Sequence, residues 1–185
     1  MNKKITSKST RFPSLNSIHT IIFDFDGVFT NNKVMVNQNG IEQVVCDRRD
    51  GFGVDLLRLF KEKKDWDVDW FILSTESNKV VRTRASKMKM RCFQATDDKL
   101  SFVENYFKEK FPSNYSPFDG LVYIGNDLND FHIMKKAGFS VAPRDAHKDI
   151  IQIASLIYDF DGGDGFVRAF IEDLILENGN YLDFI

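Results

Sequence analysis

The sequence predicts an α/β fold, a parallel sheet with helices on both faces, from three observations. Short apolar runs recur at 21–23, 68–73, 92–95, 121–124, 139–142 and 156–158, each the length of a buried strand. Helical patterns lie between them, and several of the runs end in polar residues. At 185 residues there is room for one ordinary domain and none for a second.

The first run, Ile21, Ile22 and Phe23, ends in Asp24, Asp26 and Gly27, so a buried strand delivers carboxylates at its carboxyl tip. Residues 33–46 then read as a β-hairpin inserted after that strand, with Val34 and Val36, a turn at Asn39-Gly40, and Ile41, Val44 and Val45. Helical spacing follows in five places. These are Val54, Leu56, Leu57, Leu59 and Phe60; Val80, Val81, Ala85 and Met88; Leu100, Val103 and Phe107; Phe131, Ile133 and Met134; and Phe166, Phe170 and Leu174. Alternation of this kind gives a Rossmann-like sheet whose ligands bind beyond the carboxyl ends of the strands. The hairpin is the one insertion, too small to form a separate cap domain.

Residues 1–19 carry Lys3, Lys4, Lys8 and Arg11 among Ser, Thr and Asn, with Pro13 inside. A segment of that composition buries too little surface to offset its ordering entropy and is expected to be a flexible leader. The folded domain is expected over 20–177, with a tail at 178–185.

Apolar residues make up 43% and charged residues 28%, a balance that excludes disordered and collagen-like chains. The 18 Phe are scattered through apolar segments and read as core filling, not as a stacking platform for bases. With four cations in the leader, the net charge of -2 leaves -6 on the remainder, and from Asp159 onward seven acidic residues face only Arg168. Nucleic acid is not an expected partner. No run approaches the roughly 18 apolar residues that span a bilayer, so no membrane is expected and the cytoplasm is the default compartment. Cys46 and Cys92 have no motif spacing and read as reduced thiols; His19, His132 and His147 have no metal-ligand spacing.

The chemistry gathers at the ends of the runs. Asp24-Phe-Asp-Gly-Val-Phe-Thr places two carboxylates two residues apart. Ser74 and Thr75 follow Phe71-Ile72-Leu73, Lys99 follows Asp97-Asp98, and Gly125-Asn-Asp-Leu-Asn-Asp follows Tyr123-Ile124. A DxD pair alone is weak evidence, but four strand ends converging on one rim make a site.

This ordered set, with Arg49-Asp-Gly-Phe-Gly and Asp161-Gly-Gly-Asp-Gly, resembles the haloacid dehalogenase (HAD) superfamily of phosphohydrolases. Within it the resemblance is to the branch that holds 3-deoxy-manno-octulosonate 8-phosphate phosphatases, nonulosonate 9-phosphate phosphatases and the phosphatase-like domain of some acylneuraminate cytidylyltransferases. The resemblance implies a HAD fold and a Mg2+-dependent phosphatase. Asp24 would attack phosphorus and form an aspartyl phosphate; Asp26 would protonate the leaving alkoxide and then deprotonate water. Ser74 would bind a phosphoryl oxygen, Lys99 would pair with the phosphoryl group and the nucleophile, and Asp130 would orient Lys99 and a metal-bound water. Mg2+ would be held by Asp24, Asp26 and the residue at 126, with Asp127 as an alternative ligand. Ser74 or Thr75 could instead cap the helix that follows.

The chain departs from that pattern in three places. Asn126 stands where many relatives have Asp, which removes a negative charge from the metal position. Glu76 follows Ser74-Thr75 where octulosonate phosphatases carry Gly-Arg, and with Arg84 and Lys87 it resembles the nonulosonate 9-phosphate phosphatases. The other reading of these three is a helix-terminal acid and a solvated cationic face. Asp164 replaces a basic residue in the late glycine-rich segment. The expected substrate is a 2-keto-3-deoxy sugar-acid phosphate, most of all a nonulosonate 9-phosphate, with 3-deoxy-manno-octulosonate 8-phosphate as the alternative. A weakly active module that assembles with a sugar-nucleotide synthetase is the competing class. Without a cap domain, the rim is expected to be covered in a homotetramer built through the hairpin.

Overall fold

The computed structural model of the chain describes residues 4–5, 12–112 and 116–184. In chain order the elements are β1 Lys4–Ile5, β2 Thr20–Phe23, the hairpin strands β3 Met35–Val36 and β4 Glu42–Gln43, α1 Arg48–Lys64, β5 Asp69–Leu73, α2 Lys79–Lys87 and β6 Arg91–Phe93. They continue with α3 Lys99–Lys110, β7 Leu121–Ile124, α4 Phe131–Lys136, β8 Phe139–Pro143, α5 Lys148–Ile153, β9 Leu156–Tyr158 and α6 Phe166–Leu176.

Seven strands form one sheet in the order β1-β9-β8-β7-β2-β5-β6, and β3 and β4 form a separate two-stranded ribbon. All neighbours in the large sheet are parallel except β1, which runs antiparallel to β9. The chain winds outward from β2 through β5 to β6 and then returns to β7 on the other side. The strand order therefore reverses at β2, and a crevice opens there beyond the carboxyl ends of β5, β2 and β7.

Side chains along a strand alternate between faces, and the two halves of the core follow that period. Ile21, Phe23, Ile72, Ile124 and Val141 pack with Val54, Leu57 and Phe60 of α1 and Phe166, Phe170 and Leu174 of α6. Ile22, Phe71, Leu73 and Tyr123 pack on the opposite face with Val103 and Phe107 of α3, Ile133 of α4 and Ile150 of α5. The phenylalanines fill these layers as expected: Phe23, Phe25, Phe29, Phe60, Phe71, Phe166 and Phe170 are fully buried.

Three expectations need correction. Packed structure starts before Thr20, because Phe12 and Ile18 are apolar enough to join the core, and Trp66 Nε1 donates to the carbonyls of Leu15 and Ile18. Lys4 and Ile5 also pair with Tyr158 and Ile157, while residues 1–3 and 6–11 of the expected leader lie outside the described residues. The hairpin's regular strands are shorter than 33–46, with Met35 opposite Gln43 and Val36 opposite Glu42, and a separate antiparallel bridge joins Thr30 to Cys46. Its turn is organised by Asn37, whose Oδ1 accepts from the amides of Asn39 and Ile41 at 2.9 and 3.1 Å, and Gly40 takes φ +73° within it. Neither Ser74 nor Thr75 caps α2; Asn78 does, its Oδ1 accepting from Val80 N at 3.1 Å.

The Arg49-Asp-Gly-Phe-Gly segment joins helices. Asp47 caps α1 through Arg49 N at 2.7 Å. Asp50 reaches across to α6, where it accepts from Arg168 N at 2.9 Å and so supplies a cap that Gly165, at the start of that helix, has no side chain to give. Asp50 is fully buried, and its Oδ2 has no partner among the described residues. Burial, above all, pushes its pKa up to about 7, with Arg168 N and the Arg49 and Arg84 charges pulling the other way.

Because Asp50 ionises near 3.8 when unfolded and near 7 when folded, the folded chain holds the extra proton between those values. The stabilisation is complete below about pH 4 and is lost as pH rises through 7. Asp50→Asn keeps the Oδ1 acceptor without the charge. Its melting temperature should exceed that of the wild type by roughly 5 °C at pH 8 and match it near pH 4. A lower melting temperature at pH 8 would show that the ionised carboxylate is the stabilising form.

Candidate active site

Asp24 follows the last residue of β2, and its amide continues the ladder by donating to Ile124 O at 2.8 Å. The carboxylate is 4% exposed. Its Oδ1 accepts from Phe25 N at 2.7 Å and from Lys99 Nζ at 2.8 Å. Lys99, the first residue of α3, has a side chain with no exposure, and its ammonium also donates to Asp130 Oδ1 at 2.8 Å. Asp130 Oδ1 accepts a second bond from Tyr123 Oη at 2.7 Å, and its Oδ2 accepts from Asn126 N at 2.9 Å. One buried cation thus binds the ends of β2 and β7 to the start of α3.

The electrostatics follow from that arrangement. Burial pushes the Asp24 pKa up and the Asp130 charge pushes it further, while Lys99 and Phe25 N pull it down. Burial opposes the charge on Lys99, but Asp24 and Asp130 outweigh it, so the ammonium is held above its ordinary value. The Tyr123 hydroxyl is raised by burial and the neighbouring Asp130 charge, so it stays a donor. Asp26 sits higher than an ordinary carboxyl because of burial and the charges of Glu76 and Glu42, despite the Thr30 Oγ1 bond to its Oδ1 at 3.1 Å.

A cavity of about 260 Å³ opens over this cluster. It is lined by Asp24, Asp26, Ser74, Glu76, Asn126 and Asp127, all named from the sequence, by Thr75 and Asn129 of the same strand-end segments, and by Asn32 and Val34, which the sequence did not place there. The strand-end rule pointed to the right loops, but Asn32 and Val34 enter through the path of the hairpin, which the sequence pattern does not define. Ser74 is buried, and its Oγ accepts from Glu76 N at 3.1 Å. Lys99 lies behind Asp24 and does not line the cavity.

Arg84 and Lys87 are not in this cavity. They line an adjoining groove of about 670 Å³ between the hairpin and α2, with Met35, Ile41, Val44 and Val80. Helix α2 turns Val81 and Ala85 into the core, which sends Arg84 along the groove, where its Nη2 donates to Asp47 O at 2.9 Å. Asp164 pairs with Arg49 at 2.5 Å, so it too is engaged away from the cavity.

The late glycine-rich segment braces the loop of Asp24 and Asp26. Gly27 has φ +75°, and a Cβ there would sit 1.8 Å from Asn126 Nδ2. A Cβ on Gly162 would sit 2.0 Å from Gly27 O, and Gly163 N donates to Val28 O at 3.0 Å. Only glycine permits both approaches.

Among the described residues no group of three or more His, Cys, Asp or Glu is arranged to hold a metal. A cation here would depend on Asn126, and the amide fits that task. Asn126 Oδ1 is buried and has no hydrogen-bond partner among the described residues, although Asn126 lines the cavity with Asp24 and Asp26. Two carboxylates share the single charge of Lys99, and a divalent ion satisfied by a few oxygens and water would complete both the charge and the orphaned acceptor. Asp127 is less suited, because its Oδ1 already accepts from Leu128 N at 2.7 Å as the cap of the turn that contains Asp130.

Comparison with known proteins agrees with this geometry. The profile of haloacid dehalogenase-like hydrolases matches residues 1–170. The 3-deoxy-D-manno-octulosonate 8-phosphate phosphatase of Escherichia coli K12 is 28% identical over 166 residues, covering 88% of this chain and 82% of that protein. A HAD family hydrolase from Streptomyces avermitilis superposes with a TM-score of 0.77 at 31% identity, covering 91% of this chain and 90% of the other. The 3-deoxy-D-manno-octulosonate 8-phosphate phosphatase of Moraxella catarrhalis, solved with magnesium, phosphate and KDO, shares the fold with a TM-score of 0.79 at 23% identity, covering 92% of each chain. With its two-carboxylate strand tip, its buried Lys99 and a match across nearly its whole length, the chain belongs to the haloacid dehalogenase-like hydrolases and is a phosphatase.

Proposed function

We propose that the chain hydrolyses the phosphomonoester of a 2-keto-3-deoxy sugar acid through an aspartyl phosphate, with Mg2+ as cofactor. Asp24 is the nucleophile in this reading. Both described donors to its carboxylate fall on Oδ1, which leaves Oδ2 for phosphorus, and Lys99 and Phe25 N hold the group still. The raised pKa of Asp26 suits a residue that must first give a proton to the leaving alkoxide and then take one from water. Ser74 Oγ is the hydroxyl for a phosphoryl oxygen. Asp130 keeps Lys99 in place. Mg2+, held by Asp24, the Asp26 carbonyl and Asn126 Oδ1, would neutralise charge on the phosphoryl oxygens when bound.

The observation that carries the substrate is the position of Glu76, on the wall of the cavity that holds Asp24. Among the described residues no Lys or Arg lines that cavity, and Lys79, Arg84 and Lys87 line the adjoining groove. A long sugar acid with phosphate at one end and carboxylate at the other matches this separation. Phosphate sits at Asp24, hydroxyls of a glycerol-like chain donate to Glu76, and the carboxylate faces Arg84 and Lys87. The nine-carbon nonulosonate 9-phosphate is therefore the first choice. The second is 3-deoxy-manno-octulosonate 8-phosphate, favoured by the activity named for the Escherichia coli and Moraxella proteins.

Phosphate release from a panel of sugar phosphates, with and without Mg2+, tests this. The nonulosonate 9-phosphate should show the highest kcat/KM, and Asp24→Asn should fall by more than about a hundredfold in kcat. A higher kcat/KM for the octulosonate would move that reading to first place; substantial turnover by Asp24→Asn would end the covalent mechanism.

The metal assignment has its own check. Asn126→Asp adds a charge to the ligand set and should lower the Mg2+ concentration for half-maximal activity. An unchanged titration would remove Asn126 from the ion.

Assembly is proposed as a homotetramer. Val34, Met35, Val36, Ile41 and Val45 are 55 to 60% exposed on the hairpin, an apolar edge suited to pairing between copies. Light scattering at micromolar concentration should give a mass near four chains of 21.4 kDa; a single-chain mass would leave the hairpin face unexplained.

A further inference from the structure

Between the cavity and the groove stands a short polar wall. Glu76 Oε1 accepts from Asn78 N at 2.8 Å, and Asn78 Nδ2 donates to Glu42 Oε2 at 2.9 Å. Glu42 belongs to β4, so this is a side-chain bond from the hairpin to the loop that carries Ser74, Thr75 and Glu76. Asn78 is engaged on every side. Its Oδ1 caps α2 through Val80 N, its own amide holds Glu76, and its side-chain NH2 holds Glu42. Arg84 ties the far part of α2 to the end of the hairpin path through Asp47 O.

The loop from Ser74 to Asn78 has few other restraints on its outer side. Ser74 is fixed from within, its amide donating to Phe93 O at 2.9 Å and its carbonyl accepting from Thr96 N at 3.1 Å. Glu76 O accepts from Ala95 N at 3.0 Å, which fixes the backbone but not the carboxylate. The Glu76 carboxylate is held by the Asn78 amide, and the Asn78 side chain is held between Val80 N and Glu42.

We propose that Glu42 is a positioning residue for substrate selection: through Asn78 it sets the Glu76 carboxylate that meets the leaving-group chain. This rests on the reading of Glu76 given above and extends it to a hairpin residue outside the catalytic cavity. It predicts an effect on binding of the substrate chain with Asp24, Ser74, Lys99 and Asp130 left in place, since their bonds do not pass through the hairpin. The Glu42 charge that bears on Asp26 is lost equally in an Ala and a Gln variant, so the difference between those two isolates the bond to Asn78.

The test compares Glu42→Ala and Glu42→Gln with the wild type on two substrates: a nonulosonate 9-phosphate and p-nitrophenyl phosphate, which has no hydroxyl chain. Glu42→Gln keeps an oxygen for Asn78 Nδ2, whereas Glu42→Ala keeps none. The expected result is a KM for the nonulosonate phosphate raised about fivefold or more in Glu42→Ala. Its kcat and both constants for p-nitrophenyl phosphate should agree within about twofold with those of Glu42→Gln, which lacks the same charge, and Glu42→Gln should restore most of the KM. A KM for p-nitrophenyl phosphate raised as much as that for the nonulosonate phosphate, or an equal KM for the nonulosonate phosphate in the Ala and Gln variants, would overturn the positioning role. If the wild type prefers the nonulosonate phosphate and Glu42→Ala retains that KM, the inference fails and the function stands. If the wild type shows no preference over p-nitrophenyl phosphate, the reading of Glu76 fails and takes the inference with it.

Discussion

A single ammonium, Lys99 Nζ, is the point on which the site depends. An isolated charge with no exposure costs several kcal/mol of lost hydration, and a buried ion pair holds only where its geometry and remaining hydrogen bonds are nearly complete. Lys99 meets that demand with two carboxylate oxygens at 2.8 Å, one from Asp24 and one from Asp130. The carboxylates outnumber it, and their excess charge is spread over polar hydrogens from Phe25 N, Tyr123 Oη and Asn126 N. Removing Lys99 would leave two buried carboxylates without a counter-charge, at a cost of roughly 3–5 kcal/mol. The β2 tip, the α3 start and the loop after β7 are consequently held to one another more firmly than loops usually are.

That rigidity explains the glycines nearby. With Asp130 drawn inward, a Cβ on Gly125 would lie 2.6 Å from its carboxyl carbon. With the Asp24 loop drawn toward the same point, Gly27 meets the Asn126 amide and Gly162 meets Gly27 O. The glycine motifs that surround the carboxylates are the steric consequence of closing three loops on one cation. They also shape the cavity, because the same close approach that excludes a Cβ at Gly27 holds the Asn126 side chain against the loop and leaves its Oδ1 without a partner.

Much of this was legible in the sequence, for a physical reason. Strands buried on both faces must be continuously apolar, so Thr20–Phe23 and Leu121–Ile124 stand out, and the first polar residues after each must lie at the rim. The placement of Asp24, Asp26, Ser74 and Asn126 on one cavity followed from that rule. What was hidden depends on packing between distant elements. Phe12 is one apolar residue in a polar segment, and only its fit against Phe139 and Phe170 draws it into the core. Arg84 and Lys87 are three residues apart on α2, which fixes their relation to each other but not the angle of the helix; Val81 and Ala85 decide that angle. Asp50 enters the sequence reading only within Arg49-Asp-Gly-Phe-Gly, and its place against Arg168 N emerges only when α6 lies across α1.

The structure divides chemistry from selection along these lines. Groups that would handle phosphorus are tied to the central strands and to one another by buried, charge-assisted bonds, the kind least tolerant of displacement. The surfaces that would meet the rest of a substrate belong to the hairpin, the Ser74–Asn78 loop and α2, joined by half-exposed hydrogen bonds such as Glu42 to Asn78. A half-exposed bond between neutral and charged partners is worth about 1–2 kcal/mol, against several for the buried triad. Changes in the hairpin can therefore retune what is bound without disturbing what is done to it. Glu76 lies at the boundary of the two regions: its backbone is anchored to Ala95, on the β6 side of the sheet, and its carboxylate is anchored toward the hairpin. A side chain held from both sides is the one through which the hairpin can reach the site.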